Sequence, residues 1–204
     1  INNFYKEVIM DILGLNQGND EMGDGIFIKH SATTKGWMIG SDTIEVKDFL
    51  VDTTTIKTGW GMYDGQYHYV WDEKPGVVCE KPSADHRRAF SVWIYIPNQG
   101  AKVWRRTSYG EGEGFNALCT TFWNEMKNNP DKCPHLQYTG SVDKKFKIGG
   151  TSIPAFAFVK WADRPADFVV QNIDTRDANP GVDIEAKVDA ALGLTPKSED
   201  DLPF

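Results

Sequence analysis

At 204 residues the chain is long enough for one domain with a sizeable core, and its 40% hydrophobic and 25% charged content is ordinary globular usage. No apolar run approaches the ~20 residues of a membrane-spanning helix, Ile1-Asn2-Asn3-Phe4 lacks the regions of a signal peptide, and three widely spaced cysteines do not make a secreted disulfide framework. The expectation is a cytoplasmic protein with reduced thiols and no membrane partner.

The net charge of -7 argues against a polyanion ligand until it is divided along the chain. Residues 1–24 hold one basic group against five acids, residues 25–161 hold 17 against 14, and residues 162–204 hold four against ten. A mildly basic centre between acidic ends attracts phosphate locally while the whole molecule stays negative.

Phe4, Val8, Ile9, Ile12 and Leu13 recur at helical spacing and Gly14 stops the pattern, which predicts a short amphipathic helix. Residues 16–25 then read as a loop, so residues 1–24 form a helix and linker ahead of a main domain over 25–180. Short β-branched and aromatic runs follow at Ile26–His30, Trp37–Gly40, Thr43–Val51, Thr55–Gly61, Gln66–Trp71 and Ala89–Ile96. The Asp64-Gly65 pair is a favourable hairpin turn and should join the strands around Trp60 and Tyr67. After a strand over Val103–Thr107, Phe115, Leu118, Cys119, Phe122, Trp123 and Met126 fall on one face of a helix. Strands at Leu136–Thr139, Lys145–Ile148 and Ile153–Trp161, a short helix over 181–193 and an acidic tail complete the chain. Several strands, one helix, then more strands predict a mainly β protein with one or more short helices: an OB-fold-like Greek-key barrel with extensions.

Alternation sorts the aromatic residues by face. Tyr67, Tyr69 and Trp71 share one side of their strand. Phe90, Val92, Ile94 and Ile96 form a core face, which turns Trp93 and Tyr95 outward. Lys102, Trp104 and Arg106 line one side of the next strand, a ring between two cations. Trp60, between two glycines, is presented to a ligand, and Arg87, Arg88 and Arg105 add positive charge. Bases stack on such rings whatever their sequence, while cations fix the phosphates. Lys144, Lys145 and Lys147 make a second basic cluster. A dimer partner is another cover for an outward aromatic strip, so a homo-oligomer stays open.

Catalytic and cofactor signatures are weak. Gly110-Glu111-Gly112-Glu113-Gly114 reads as a flexible loop, because its carboxylates would repel phosphate and no Gly-Lys-Ser/Thr follows. No nucleophile elbow or His-Glu-x-x-His is present, and no cofactor is expected. Cys79, Cys119, Cys133 and His135 could be written as a zinc set, but none has the close spacing that such sites use.

The chain given ends in Ser198-Glu199-Asp200-Asp201-Leu202-Pro203-Phe204. Pro203 holds the end extended, and Phe204 carries an apolar ring beside the acids, a hook for a pocket rimmed by cations. This tip resembles the C-terminal end of bacterial and phage single-stranded DNA-binding proteins, with Leu202 in place of an isoleucine. Thr58-Gly59-Trp60 and Arg87-Arg88-Ala89-Phe90-Ser91-Val92-Trp93 are similar, more loosely, to phage-encoded members. The long Gly/Gln-rich linker of ordinary bacterial members is lacking. The resemblance implies sequence-tolerant binding of single-stranded DNA in replication, recombination or repair, with Asp200, Asp201, Leu202, Pro203 and Phe204 recruiting partner proteins. A rival from another class is an aromatic β module that binds carbohydrate or serves as a phage structural subunit. An annealing recombinase or RNA chaperone shares the binding chemistry.

Overall fold

Strand Arg87–Ile96 sets the sheet: Phe90, Val92, Ile94 and Ile96 are all buried in one cluster, as their alternation predicts. The computed structural model of the protein describes residues 25–147, 149–171 and 173. Contacts divide the chain into a unit ending at Val170 and a second beginning at Gln171, of which only residues 171 and 173 are described. The expected N-terminal helix, the 181–193 helix and the Asp200–Phe204 tip lie outside the described residues.

In chain order the described elements are β1 (Phe27–Ser31), β2 (Gly36–Ile39), β3 (Asp42–Ile44), β4 (Asp48–Tyr63), β5 (Tyr67–Trp71), β6 (Arg87–Ile96), β7 (Gly100–Arg106), helix α1 (Tyr109–Thr120), a 3-10 helix (Trp123–Asn128), β8 (Lys132–Lys145) and β9 (Gly150–Asp163). They build one strongly curled half-barrel in the order β3-β2-β1-β7-β6-β4-β8-β9, with β5 paired to β4. Taking β4, β6, β7, β8 and β9 as the five core strands, with α1 between the third and fourth, gives the OB-fold order. The pairing that would join β7 to β9 is replaced by β1, which runs parallel to β7 at Phe27↔Val103 and Ile28↔Trp104.

Several expected boundaries move. The runs around Thr43–Val51 and Thr55–Gly61 divide differently: the first three residues belong to β3 and its turn, while Asp48–Tyr63 is one 16-residue strand. A bulge between Asp52 and Lys57 bends it. There the buried Asp52 carboxylate accepts the Thr54 N–H at 3.1 Å and the Arg164 guanidinium at 2.5 Å. The Asp64-Gly65 hairpin forms as expected, with Tyr63 opposite Tyr67 and Gly65 at φ +106°.

The Gly110–Gly114 run is not a loop. It is the first half of α1, which starts at Tyr109, six residues before the expected apolar stripe begins. Glu111 explains why the glycines tolerate a helix here. Its carboxylate is buried and takes four donors: the His30 N–H at 2.7 Å, Trp104 Nε1 at 3.0 Å, Arg106 Nε at 2.7 Å and Ser108 Oγ at 2.7 Å. These tie β1, β7 and the start of α1 to one point. The helix ends at Thr120, so Phe122 is buried while Trp123, expected on the same core face, stands exposed.

Side chains close what the backbone leaves open. His30, Trp37, Tyr138 and Phe156 pack ring against ring between β1, β2, β8 and β9. His30 Nε2 lies 3.0 Å from the Tyr138 hydroxyl and 2.9 Å from Ser141 Oγ, and burial holds its imidazole below the ordinary value of 6.5.

Glu111→Ala removes the acceptor for four groups and leaves Arg106 without its partner. It is expected to lower unfolding free energy by about 3–5 kcal/mol, read from denaturant midpoints. A loss below about 1 kcal/mol would mean that the carboxylate does not organise this corner.

Candidate nucleic-acid interface

The side of β7 expected to face a ligand faces the core. Val92 pairs with Trp104, Ile94 with Lys102 and Phe90 with Arg106, and directly paired residues share a side of the sheet. Trp104 is therefore 0% exposed, edge-on to Trp37, Phe90 and Phe115. Lys102 Nζ donates to the Gly25 carbonyl at 2.7 Å, and burial lowers its pKa. Burial opposes the charge of Arg106, but the adjoining Glu111 outweighs it and raises the pKa.

Trp93 and Tyr95 do turn away from the core face, yet they are covered. Trp93 is 5% exposed, while the Tyr95 hydroxyl donates to Asp167 at 2.7 Å and its ring meets Phe168 at 5.5 Å. The segment after β9 crosses this side of the sheet, held by Arg164 on Asp52. Neither ring is a free platform.

Tyr67, Tyr69 and Trp71 form a ladder, with ring centroids 6.0 and 5.0 Å apart and planes within 10° and 3°. Tyr69 lies opposite Gly61, and Trp71 opposite Gly59. A Cβ on Gly61 would come within 2.8 Å of the Tyr69 ring, and one on Gly59 within 2.3 Å of the Val70 carbonyl oxygen. The two glycines thus make room for rings on the neighbouring strand. Arg105 is buried beside the ladder, its guanidinium 5.0 Å from Tyr69, 5.4 Å from Trp71 and 5.8 Å from Phe27. This half-buried stack is knit into the fold.

Trp60 is likewise engaged in mid-strand, not presented by a loop. Its Nε1 donates to the Cys79 carbonyl at 3.0 Å, with Arg88 4.9 Å and Lys81 5.6 Å from the ring. Arg88 also grips Asp72 with bonds of 3.2 and 2.7 Å. The Asp72 carboxylate accepts the Cys79 N–H at 3.0 Å and the Thr58 hydroxyl at 2.5 Å, so it ties the start of the loop after β5 to its middle and to β4.

That loop borders a groove of about 1100 Å³. Ile56, Thr58 and Phe90 come from β4 and β6; Pro75, Gly76 and Val77 from the loop; Phe115, Asn116 and Cys119 from α1. Arg87 and Arg88 supply cations, and Tyr109 and Trp123 supply rings. Arg87 is exposed and makes no ion pair among the described residues. Burial pushes the Cys119 thiol up to about 12, so it lines the groove as a neutral, unreactive group. Beside Tyr109 stands the β8–β9 hairpin: Lys144 hydrogen-bonds the Tyr109 hydroxyl and lies 4.8 Å from its ring, 3.6 Å from Glu113, and Phe146 meets the same ring at 5.5 Å. Lys145 and Lys147 are exposed next to it.

No family model, curated protein or solved structure matches the chain.

Of the residues singled out from sequence, the structure gathers Arg87 and Arg88 at the groove, with the Lys144–Lys147 cluster next to Tyr109. It assigns Trp60, Tyr67, Tyr69, Trp71, Trp93, Tyr95, Lys102, Trp104, Arg105 and Arg106 to packing or to bonded partners. Tyr109 and Trp123 were missed. The adjoining Thr120-Thr121 pair, poor for helix continuation, was the available sign that Trp123 falls beyond α1. Cys79, Cys119, Cys133 and His135 do not assemble: among the described residues no three His, Cys, Asp or Glu side chains group as metal ligands. No helix among them is long and apolar enough to cross a membrane.

The Arg88 hydrogen bonds hold the Asp72 carboxyl far below its ordinary 3.8, against the opposing effect of burial. Stability carried by this clamp is complete above that ordinary value and is lost as acidification approaches the lowered folded value. Asp72→Asn is expected to remove that part of the acid dependence, seen as a flatter unfolding midpoint between about pH 5 and pH 2. Parallel loss in variant and parent would show that the clamp contributes nothing there.

Proposed function

We propose that the protein binds single-stranded DNA with little sequence preference, in phage-type replication, recombination or repair. One observation carries this reading: an open, largely apolar groove combines exposed rings with an arginine that makes no ion pair among the described residues, and leads to a hairpin with exposed lysines. Apolar walls and rings suit bases, which stack without regard to sequence, and the cations suit the phosphates between them. The OB-fold order supports it, since in such barrels the second and third strands and the two flanking loops form the binding side. Here β6 and the Asp72-pinned loop line the groove and the β8–β9 hairpin stands beside it, while β7 contributes no lining residue. The acidic Asp200–Phe204 end is the proposed hook for replication or recombination proteins, through its ring and its negative charge.

Oligo-dT at low salt is expected to quench the tryptophan fluorescence, with affinity falling steeply as salt rises. Arg87→Ala should weaken binding and reduce the salt slope by about 1. An absence of quenching, or displacement by oligosaccharide but not oligonucleotide, would favour the carbohydrate module instead. Removing residues 198–204 is expected to leave oligonucleotide affinity unchanged or tighter. Loss of DNA binding on truncation would overturn the role given to the tail.

A further inference from the structure

Helix α1 makes one wall of the groove, and its seat is set by two close approaches to β9. A Cβ on Gly110 would fall 2.9 Å from the Ser152 carbonyl oxygen, and one on Gly114 2.6 Å from that of Pro154. With no side chain at either position, one side of the helix rests directly on backbone. Its Phe115, Asn116 and Cys119 line the groove.

Both ends of this wall carry rings that the fold leaves uncovered. Tyr109 opens α1 and Trp123 follows its last turn; both line the groove, and they are 50% and 41% exposed. A 12-residue helix is roughly 18 Å long, and the two rings belong to residues at or just beyond its opposite ends. They differ in how they are held. Tyr109 is fixed by Lys144 and Phe146, whereas Trp123 makes no ring contact or hydrogen bond among the described residues. An indole 41% exposed in an apolar groove, with no partner for its N–H among the described residues, points to a ligand surface.

We infer that α1 is a stacking wall for nucleic acid: Trp123 and Tyr109 each hold an unpaired base at opposite ends of the groove, with the Asn116 amide between them facing base edges. This rests on reading the groove as a single-strand site. Charge complementarity selects a nucleic acid over an uncharged ligand, because Arg87 lines the groove, its lining acid Glu113 lies 3.6 Å from Lys144, and Lys145 and Lys147 are exposed on the hairpin beside Tyr109. The strands then contribute the floor and the phosphate contacts, while the helix contributes the stacking.

The test uses the full chain and fluorescently labelled oligo-dT, with affinity measured by anisotropy at several salt concentrations. Trp123→Ala is expected to weaken binding roughly tenfold, as for one lost stacked base, and Trp123→Phe to restore most of it. Tyr109→Ala should behave likewise. The salt slope should stay at the parental value in these variants, since no phosphate contact is removed. Parental affinity in Trp123→Ala and Tyr109→Ala, alongside weakened binding in Arg87→Ala, would overturn the helical wall and leave the binding reading intact. If the parent chain itself binds no oligo-dT at low salt, the functional reading fails and this inference fails with it.

Discussion

The buried Glu111 carboxylate is the constraint on which the rest of the described fold depends. A charge removed from water is costly unless donors surround it, and here an arginine, an indole, a hydroxyl and a backbone N–H all point at two oxygens. The donors come from β1, β7 and the residue before α1, so the parallel strand pair and the helix start are fixed together. Replacing the usual β7 to β9 closure by β1 is stable because this ionic point anchors the substitute strand. Mutual polarisation strengthens such a network beyond its separate bonds.

From that point the site follows by geometry. Anchoring the first turn of α1 and leaving glycine at 110 and 114 presses the helix onto β9. The same placement brings Phe115, Asn116 and Cys119 to the groove. On another side, Asp72 fastens its loop to Arg88 and Thr58, which keeps Pro75–Val77 at the groove without a regular element. Two buried acids thus hold two different borders of one cavity. Both lie in the central stretch over 25–161, which holds 17 basic groups against 14 acids.

The aromatic residues divide between structure and surface in a way that depends on neighbours. Tyr69 and Trp71 lie over Gly61 and Gly59, which turns an exposed-looking strip into a packed ladder with Arg105. Trp104 joins the core because it stands opposite Val92. The rings left to the groove are Tyr109 and Trp123, at the two ends of a short helix. The geometry therefore moves the proposed stacking positions from strand faces to a helix boundary, and of the five expected cations only Arg87 and Arg88 line the groove, while Lys102, Arg105 and Arg106 do not.

Sequence by itself determined the mainly β character, the Asp64-Gly65 hairpin, the core face of β6 and the shared side of Tyr67, Tyr69 and Trp71, because each follows from local turn chemistry or a two-residue period. It did not determine the face of β7, where Lys102, Trp104 and Arg106 alternate with Ala101, Val103 and Arg105, so both sides carry an apolar residue and a cation. Only the pairing with β6 and the acceptor at Glu111 decided that Trp104 and Arg106 turn inward. Nor did local pattern reveal that a Gly-Glu-Gly-Glu-Gly run is helical: its propensity is poor, and the compensation comes from long-range partners, the β9 backbone and the His30 N–H. Local periodicity offers two faces; which one meets water is settled by what the rest of the chain brings against it.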